Sequence, residues 1–365
     1  MLARRTQLRL PDSSPCDLPL LVPSFSSKGF GHSKTRGRGR PRLFSNMLVD
    51  LHEFSQVASQ AVLISAYDLH FGHFDGSRGH NSSPLDLLQK SRLIFFDSGG
   101  YELSPDFDSS EPKSPAYAPR KGYGLPQYLK MLDKIANDRA HRSFVVSNFD
   151  WGMANKPLAL QIESARRVFQ KVPGQLSSFI LKPWPKTQGL IEPDRLSRKD
   201  LQSMAGFDVI GVTEKELGSN VLERLRRIAR LRRMLDSVDS PAPIHIWGGL
   251  DPTITPLYFF AGAQIFDGIS WLRYAYTDGM AVNRESFSAL SADYTIGTNK
   301  DVCRQVISLK NRTMLEGLAS SLRKWVDAKG ADFSMFCEPV REHLHRSYGT
   351  MVTEIDELKE VGLGR

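Results

Sequence analysis

The stretch that decides the fold is residues 93–103, LIFFDSGGYEL. An apolar run leads to Asp97, and three small residues (Ser-Gly-Gly) then precede Tyr101. Buried strands of parallel sheets are near-continuous apolar runs. An acid at the carboxyl end of such a strand, followed by small residues, stands where α/β proteins place their chemistry. Taken alone, the segment fits equally well a simpler interpretation, in which Asp97 caps the next helix.

Similar apolar runs recur along the chain, and most are separated by segments with helical spacing of apolar residues. We predict strands over 18–25, 61–67, 93–96, 143–150, 177–184, 207–213, 243–249 and 262–269. Eight βα units with buried strands predict an α/β protein, a (β/α)8 TIM barrel. A doubly wound open sheet is the alternative, but no glycine-rich nucleotide-binding motif stands in the required context.

The ends of the chain extend this barrel. Residues 5–10 precede the first strand as the arm of an N-terminal hairpin, and helical patterns over 303–328 and 338–361 follow the last one. We therefore predict a catalytic barrel domain over 1–300 and C-terminal helices over 301–365 that pack on the barrel or extend it. We interpret the apolar stripes of those helices as core and not as a partner site.

Composition limits the class of protein. The formal net charge is +8, which favours a polyanionic partner. Cys16, Cys303 and Cys337 lie far apart, so the sequence offers no disulfide framework and suits a reducing cytoplasm. There is no apolar run long enough to span a membrane, and the N-terminus lacks the apolar region of a secretory signal. We expect a cytoplasmic protein with no membrane partner.

A basic loop, residues 33–43, is the strongest local concentration of charge. Glycine and proline prevent a stable helix there. One interpretation is a solvated flexible loop, and the other is a contact with a nucleic-acid backbone. The cations concerned are Lys34, Arg36, Arg38, Arg40 and Arg42.

Three predicted strands have an acid at or next to their carboxyl end: Asp97, Asp150 and Asp267. In a barrel the carboxyl ends of the strands meet on one rim. Carboxylates that converge there raise one another's pKa, which is costly unless they have a chemical role. This pattern favours a catalytic site over three separate helix caps.

At this point the chain resembles the tRNA-guanine transglycosylase superfamily, over roughly residues 5–290. The DSGGYE segment at 97–102 resembles the family's DSGG-aromatic signature. The other matching segments, in the family's order, are LLVPSFSSKG (20–29), LISAYDLHFG (63–72), FDWGMANKP (149–157), GVTEKELG (211–218) and WGGLDPTITPLYFFAGAQIFDGIS (247–270).

The resemblance implies base exchange, in which guanine leaves its sugar and a 7-deazaguanine such as preQ0 takes its place. Asp267 would be the nucleophile that attacks C1′ and forms a covalent intermediate. Asp97 would protonate the departing guanine and deprotonate the incoming base. Asp150 would accept the guanine N1–H and N2–H₂ groups, with help from Asn148.

Further binding roles follow from the same resemblance. Tyr101 and Trp247 would sandwich the base, although core packing is the alternative for both. The backbone of Gly211 and Val212 would contact O6, and Lys182 stands where the tRNA enzymes have a glutamine. The remaining expected contacts are Ser98, Gly99, Gly100 and Gly248 with the base and Arg273 with a phosphate.

Departures from the family pattern refine this expectation. The clustered cysteines and histidine of the tRNA enzymes' zinc subdomain are missing, so we expect no zinc and no other cofactor. In lacking this subdomain the chain resembles the DNA-modifying, DpdA-type branch of the family. DNA is therefore the favoured partner, and the alternative is a zinc-free enzyme that acts on tRNA. A non-catalytic nucleic-acid-binding subunit is a third hypothesis. Because a base must be flipped out of its stack, a helicase-like partner is also expected.

Overall fold

The computed structural model describes residues 1–29, 61–73, 91–106, 117–137, 142–290 and 300–362. The strands in these ranges are β1 (Gln7–Arg9), β2 (Pro15–Asp17), β3 (Leu20–Phe25), β4 (Ala61–Ser65), β5 (Leu93–Asp97), β6 (Ser143–Ser147), β7 (Leu176–Leu181), β8 (Val209–Thr213), β9 (Ile244–Trp247), β10 (Ile265–Gly268), β11 (Tyr274–Thr277) and β12 (Met280–Asn283). The α-helices are α1 (Ala66–His70), α2 (Leu125–Ala136), α3 (Leu158–Phe169), α4 (Arg198–Met204), α5 (Val221–Asp236), α6 (Thr255–Phe260), α7 (Ser270–Arg273), α8 (Arg284–Leu290), α9 (Lys300–Asp327), α10 (Glu338–Glu354) and α11 (Asp356–Gly362).

Strands β3 to β10 are all parallel and close into a barrel, because β10 pairs with β3. This confirms the predicted (β/α)8 fold, and all eight predicted strands are present. The predicted N-terminal hairpin is confirmed as well, since β1 and β2 form an antiparallel pair. The predicted strand over 143–150 is shorter in the structure and ends at Ser147.

Alternation along the strands separates two cores. Outward side chains pack against the helices, and inward side chains fill the barrel. The hairpin β1–β2 closes the lower end of the barrel, where Leu8 and Cys16 join the inner cluster. That cluster includes Leu63, Phe95, Val145, Val209 and Ile265. Since the lower barrel is filled with apolar side chains, the polar inward positions are left at the carboxyl ends of the strands.

The C-terminal helices pack on the barrel. Trp325 of α9 is fully buried and lies 4.1 Å from Phe260 of α6, measured between ring centroids. The predicted single helix over 338–361 is wrong, because it is divided at Ile355. This residue is extended (φ −116°, ψ 111°) and fully buried, so the chain leaves the helix there and places an apolar side chain in the core. The hairpin β11–β12 was not predicted from the sequence.

The basic loop 33–43 with its five cations lies outside the described residues. The sequence also predicts helices over 46–60 and 84–89, which lie outside the described residues, and a polar loop over 104–122, part of which does. Within the described ranges, we find no helix that combines the length and the apolar character needed to cross a membrane.

Candidate active site

The three acids predicted from the strand ends lie at the same end of the barrel. Asp97 is the last residue of β5, Asp267 lies within β10, and Asp150 follows β6. Asp97 is 7% exposed and Asp267 is 6% exposed. Both Asp150 and Asp267 contribute to the raised pKa of Asp97, so the three carboxyl groups form one electrostatic cluster.

Three hydrogen-bond donors, from β3, from β9 and from the turn after β9, hold Asp267. Ser24 Oγ of β3 donates to its Oδ2 at 2.8 Å, and the Gly248 N–H donates to its Oδ1 at 3.2 Å. His245 Nε2 of β9 lies 3.0 Å from the same Oδ1. Donors directed at a carboxylate stabilise its ionised form, which is the form that a nucleophile requires.

The buried environment of His245 indicates its tautomer. Its Nδ1 has no hydrogen-bond partner among the described residues, whereas its Nε2 faces Asp267. A neutral imidazole with its proton on Nε2 leaves only a lone pair unsatisfied at Nδ1, which costs less than a buried N–H without an acceptor. We therefore assign His245 as a neutral donor to the Asp267 carboxylate.

Trp247 packs against His245 of this pair. Its ring stacks on that of His245 with centroids 4.3 Å apart. A Cβ added to Gly211 would overlap the Trp247 indole, so only glycine allows β8 to approach so closely. The indole Nε1 is buried without a partner among the described residues. Trp247 is half-buried against the inner core, which is a packing role, and its stacking on a base stays a prediction.

Asp97 has a different environment from Asp267. Burial, then the neighbouring carboxyls Glu102 and Asp150, raise its pKa well above the ordinary value. One backbone donor, the Gly99 N–H, lies 3.0 Å from its Oδ2. Gly99 has φ +86°, and a Cβ there would lie 2.6 Å from Tyr67 Cβ, so this turn requires glycine. A carboxyl with a raised pKa is suited to give up a proton as a general acid.

Asp150 lies between a serine and a lysine. Ser98 Oγ donates to its Oδ1 at 3.0 Å, and Lys182 Nζ lies 3.5 Å from its Oδ2. A Cβ on Gly100 would lie 2.8 Å from the same Oδ1, so this glycine leaves space for the carboxylate. The structure therefore brings together four of the predicted site residues: Asp150, Ser98, Gly100 and Lys182.

Lys182 also pairs with an acid on the next strand's loop. Its Nζ lies 2.7 Å from Glu216 Oε1 and donates to Thr213 Oγ1 at 3.2 Å. Burial lowers the pKa of Lys182, but the charges of Asp150 and Glu216 outweigh this effect and raise it above the ordinary value. Lys182 is therefore a permanent cation between two carboxylates.

Three further predicted residues act through their backbone or are already paired. Asn148 uses both ends of its amide on the backbone of Ile180, with the shorter bond from Ile180 N–H at 2.6 Å. The side chain of Val212 packs in the outer core, so only its backbone faces the barrel interior. Gly248 has φ +80° in the turn after β9, and its N–H is directed at Asp267.

Tyr101 and Arg273 lie on the rim. The Tyr101 side chain is 45% exposed, which excludes it from the core, and Lys28 Nζ lies 3.8 Å above its ring. Its hydroxyl donates to Asp106 at 3.0 Å. Arg273 donates to the same carboxylate at 2.8 Å and to the Lys28 carbonyl. The structure thus connects Tyr101 with the predicted phosphate contact through one shared acid.

Several residues of the site were not predicted from the sequence. His245 could have been found, because it lies two positions before Trp247 in a strand and so faces the same side. Glu102 belongs to the DSGGYE segment but had no role assigned. The serines Ser24, Ser26 and Ser65 carried no signal, since a single serine near a strand end is common.

The described residues contain no group of three or more His, Cys, Asp or Glu side chains arranged to hold a metal ion. Cys337 is exposed and Cys303 is partly buried. The expectation that the protein needs no zinc stays a prediction.

Comparison with known proteins gives no family. No protein-family model matches the chain, and a search of the curated proteins finds no match either. The argument about function therefore depends on the site and its chemistry.

Proposed function

We propose that this protein is a nucleic-acid guanine transglycosylase that exchanges guanine for a 7-deazaguanine such as preQ0, with DNA as the favoured substrate. One observation carries the proposal: a buried carboxyl with a raised pKa, Asp97, shares the barrel mouth with a carboxylate held by three donors, Asp267. Glycosyl transfer with retention needs this division of roles between two acids.

In the first half of the proposed reaction, an Asp267 oxygen attacks C1′ of the target nucleotide. The bond between C1′ and guanine N9 breaks, and its electron pair leaves with the base. Asp97 gives its proton to the departing guanine, so that a neutral base is released. The product is an ester between Asp267 and the sugar, and the phosphate backbone stays intact.

In the second half, the incoming base loses its N9 proton to Asp97. The resulting nitrogen lone pair attacks C1′, and Asp267 leaves as a carboxylate. Two displacements at C1′ restore the original configuration. In each half one negative charge moves between Asp267 and Asp97, so the net charge of the buried site does not change.

Base recognition is assigned to the cluster around Asp150. Guanine presents N1–H and N2–H₂ side by side, and one carboxylate accepts both. Ser98 and Lys182 hold Asp150 in place from two sides. The three N–H donors of the Lys182 ammonium are directed at Asp150, Glu216 and Thr213, so Lys182 positions the acids that face the base.

The nucleic-acid partner is inferred from charge and from the rim. The chain carries a net charge of +8, and the rim residues Tyr101 and Trp151 are 45% and 47% exposed. Exposed aromatic side chains provide stacking surfaces for bases that have left the duplex. The preference for DNA depends on the resemblance to the branch without a zinc subdomain. The helicase-like partner follows from the need to flip the base out of its stack, and the proposed cytoplasmic location follows from the three separate cysteines.

The test is mass spectrometry of nucleosides from duplex DNA, melted DNA and tRNA after incubation with the full chain and preQ0. We expect the modified nucleoside in DNA, and none with Asp267→Ala. The matched control is Asp194→Asn, an exposed acid paired with Arg230 on the outer surface, which should keep full activity. A denaturation-stable adduct between protein and oligonucleotide should form with the wild type and not with Asp267→Ala.

Other outcomes would change the assignment. Exchange in tRNA but never in DNA would replace the proposal by the zinc-free tRNA enzyme. Nucleic-acid binding without exchange in any substrate, together with no covalent adduct, would favour the non-catalytic subunit.

A further inference from the structure

Glu102 is a buried acid that the proposed reaction does not yet use. It lies in the short turn Tyr101–Leu103 after β5 and is 1% exposed. Ser26 Oγ donates to its Oε1 at 2.5 Å, and Ser65 Oγ donates to its Oε2 at 2.8 Å. Both oxygens are therefore fixed by hydroxyl groups from two other barrel segments.

This arrangement places Glu102 beside Asp97. Strands β4 and β5 pair in parallel register with Ser65 opposite Asp97. Side chains of such neighbours lie on the same face, with their strands about 5 Å apart. Because Ser65 Oγ also donates to Glu102, this register brings both carboxyl groups close to one serine.

The groups around Glu102 determine its charge. Asp68 of α1 is fully buried and is bound by His73 Nδ1 at 2.8 Å and by the Ser27 N–H at 2.8 Å. Lys28, which follows β3, is 5% exposed and is the nearby ammonium group. Burial, then Asp68, raises the pKa of Glu102 to about 7, although Ser26, Ser65 and Lys28 oppose the change.

Glu102 also affects the pKa values of Lys28 and Asp97. Burial lowers the pKa of Lys28 to about 8, although Glu102 and Asp106 act in the opposite direction. After burial, Glu102 is the largest contribution to the raised pKa of Asp97, ahead of Asp150 and Asp267. Glu102 is therefore the neighbouring carboxyl with the strongest effect on the acid of the proposed reaction.

We propose that Glu102 is a positioning residue whose negative charge, held beside Asp97 by Ser26 and Ser65, keeps the transferable proton on Asp97. This inference rests on the proposed function. Glu102 exchanges no proton with the substrate: a single proton moves from Asp97 to the departing guanine and returns from the incoming base. Above about pH 7, where Glu102 is ionised, its charge keeps Asp97 in the acid form and makes the conjugate base of Asp97 strong enough to recover the proton.

The first test needs no substrate. Carboxyl carbon NMR of the free full-length protein follows the titration of Asp97, assigned with Asp97→Asn, in the wild type, Glu102→Gln and Glu102→Asp. A like charge within about 4–6 Å raises the pKa of a carboxyl group by about 1–3 units. We therefore expect the midpoint of the Asp97 titration to lie at least about one pH unit lower in Glu102→Gln than in the wild type. Glu102→Asp keeps the charge and should keep most of the shift.

If Glu102→Gln does not fold, the titration of the wild type alone shows whether Glu102 affects Asp97. Two coupled carboxyls titrate in two macroscopic steps, so the Asp97 resonance should show a second inflection at the titration of Glu102. A single-step curve in the wild type, or an unchanged midpoint in Glu102→Gln, would overturn the inference.

The second test uses the reaction. In single turnovers the alkaline limb of the rate profile should move to lower pH by about one unit or more in Glu102→Gln, with KM unchanged. The control Glu163→Gln, an exposed acid of α3, should leave the profile unchanged. If the Asp97 titration midpoint shifts in Glu102→Gln but the wild type exchanges no base, the proposed function is refuted and the effect of Glu102 on Asp97 stands. If Glu102→Gln exchanges the base and the alkaline limb of its rate profile does not move, the effect of Glu102 on Asp97 is refuted and the proposed function stands.

Discussion

Replacing Glu102 with glutamine should remove a pH-dependent cost from the stability of the fold. Glutamine has the shape of glutamate, and its amide can still pair with the hydroxyls of Ser26 and Ser65. The substitution therefore changes the charge and leaves the packing of the turn nearly intact. The pKa of Glu102 rises from an ordinary 4.5 to about 7 in the folded protein.

The sign and size of the effect follow from this shift. Below pH 4.5, Glu102 is protonated in both the folded and the unfolded chain, and its contribution to stability is fully present. Between that pH and about 7, the unfolded chain releases the proton and the folded chain keeps it, so the free energy of unfolding falls as pH rises. A shift of this size corresponds to a loss of about 3 kcal/mol. The attraction of Lys28 is already included in the shifted value.

The assay is urea unfolding followed by circular dichroism, at several pH values between about 4 and 8. We expect the difference in unfolding free energy between Glu102→Gln and the wild type to move in favour of the variant by up to about 3 kcal/mol as pH rises. Glu163→Gln removes an acid whose side chain is 59% exposed and should show a constant difference across the range. The reasoning is refuted if the two variants have parallel pH dependence.

Three further predictions concern the base pocket and the rim. Gly100→Ala places a Cβ 2.8 Å from Asp150 Oδ1 and should weaken guanine binding about tenfold or more by calorimetry, whereas Gly317→Ala on α9, with open space around it, should not. Lys182→Met leaves Asp150 and Glu216 without their shared cation and should lower the free energy of unfolding by about 3 kcal/mol at neutral pH, which is measured as a fall in Tm. A fall in Tm at about pH 4 as large as that at neutral pH would contradict this account. Trp151→Ala should weaken binding of a single-stranded oligonucleotide at least about fivefold by fluorescence anisotropy, and Leu160→Ala, which is 45% exposed on α3, serves as its matched control.

Strand positions and the acids at their ends could be predicted because they depend on local pattern. The apolar run before Asp97 and the acid of β10 mark the carboxyl ends of strands without any knowledge of neighbours. His245 was also within reach, since strand alternation puts it on the same face as Trp247. The division of the helix predicted over 338–361 was not, because the apolar spacing continues through Ile355.

Asn148 illustrates why side-chain roles are harder to predict than positions. Its place near the end of a strand suggested a contact with the base. In the structure its amide pairs with the backbone of Ile180, where β6 has ended and β7 continues. A backbone N–H that loses its strand partner needs another acceptor, and the nearest suitable side chain supplies it.

The sequence by itself determined the order of eight strands and which of them end in acids, because alternation and apolar runs are properties of neighbouring residues. Only the tertiary structure decided what those acids can do. Barrel closure brings Ser24 to Asp267 across 243 positions of the chain, and the pairing of β3 with β4 and of β4 with β5 brings Ser26 to Glu102 across 76. Burial and charge act through space, so the raised pKa of Asp97 and the hydrogen bonds of Asp267 depend on groups that become neighbours only when the strands of the barrel pair.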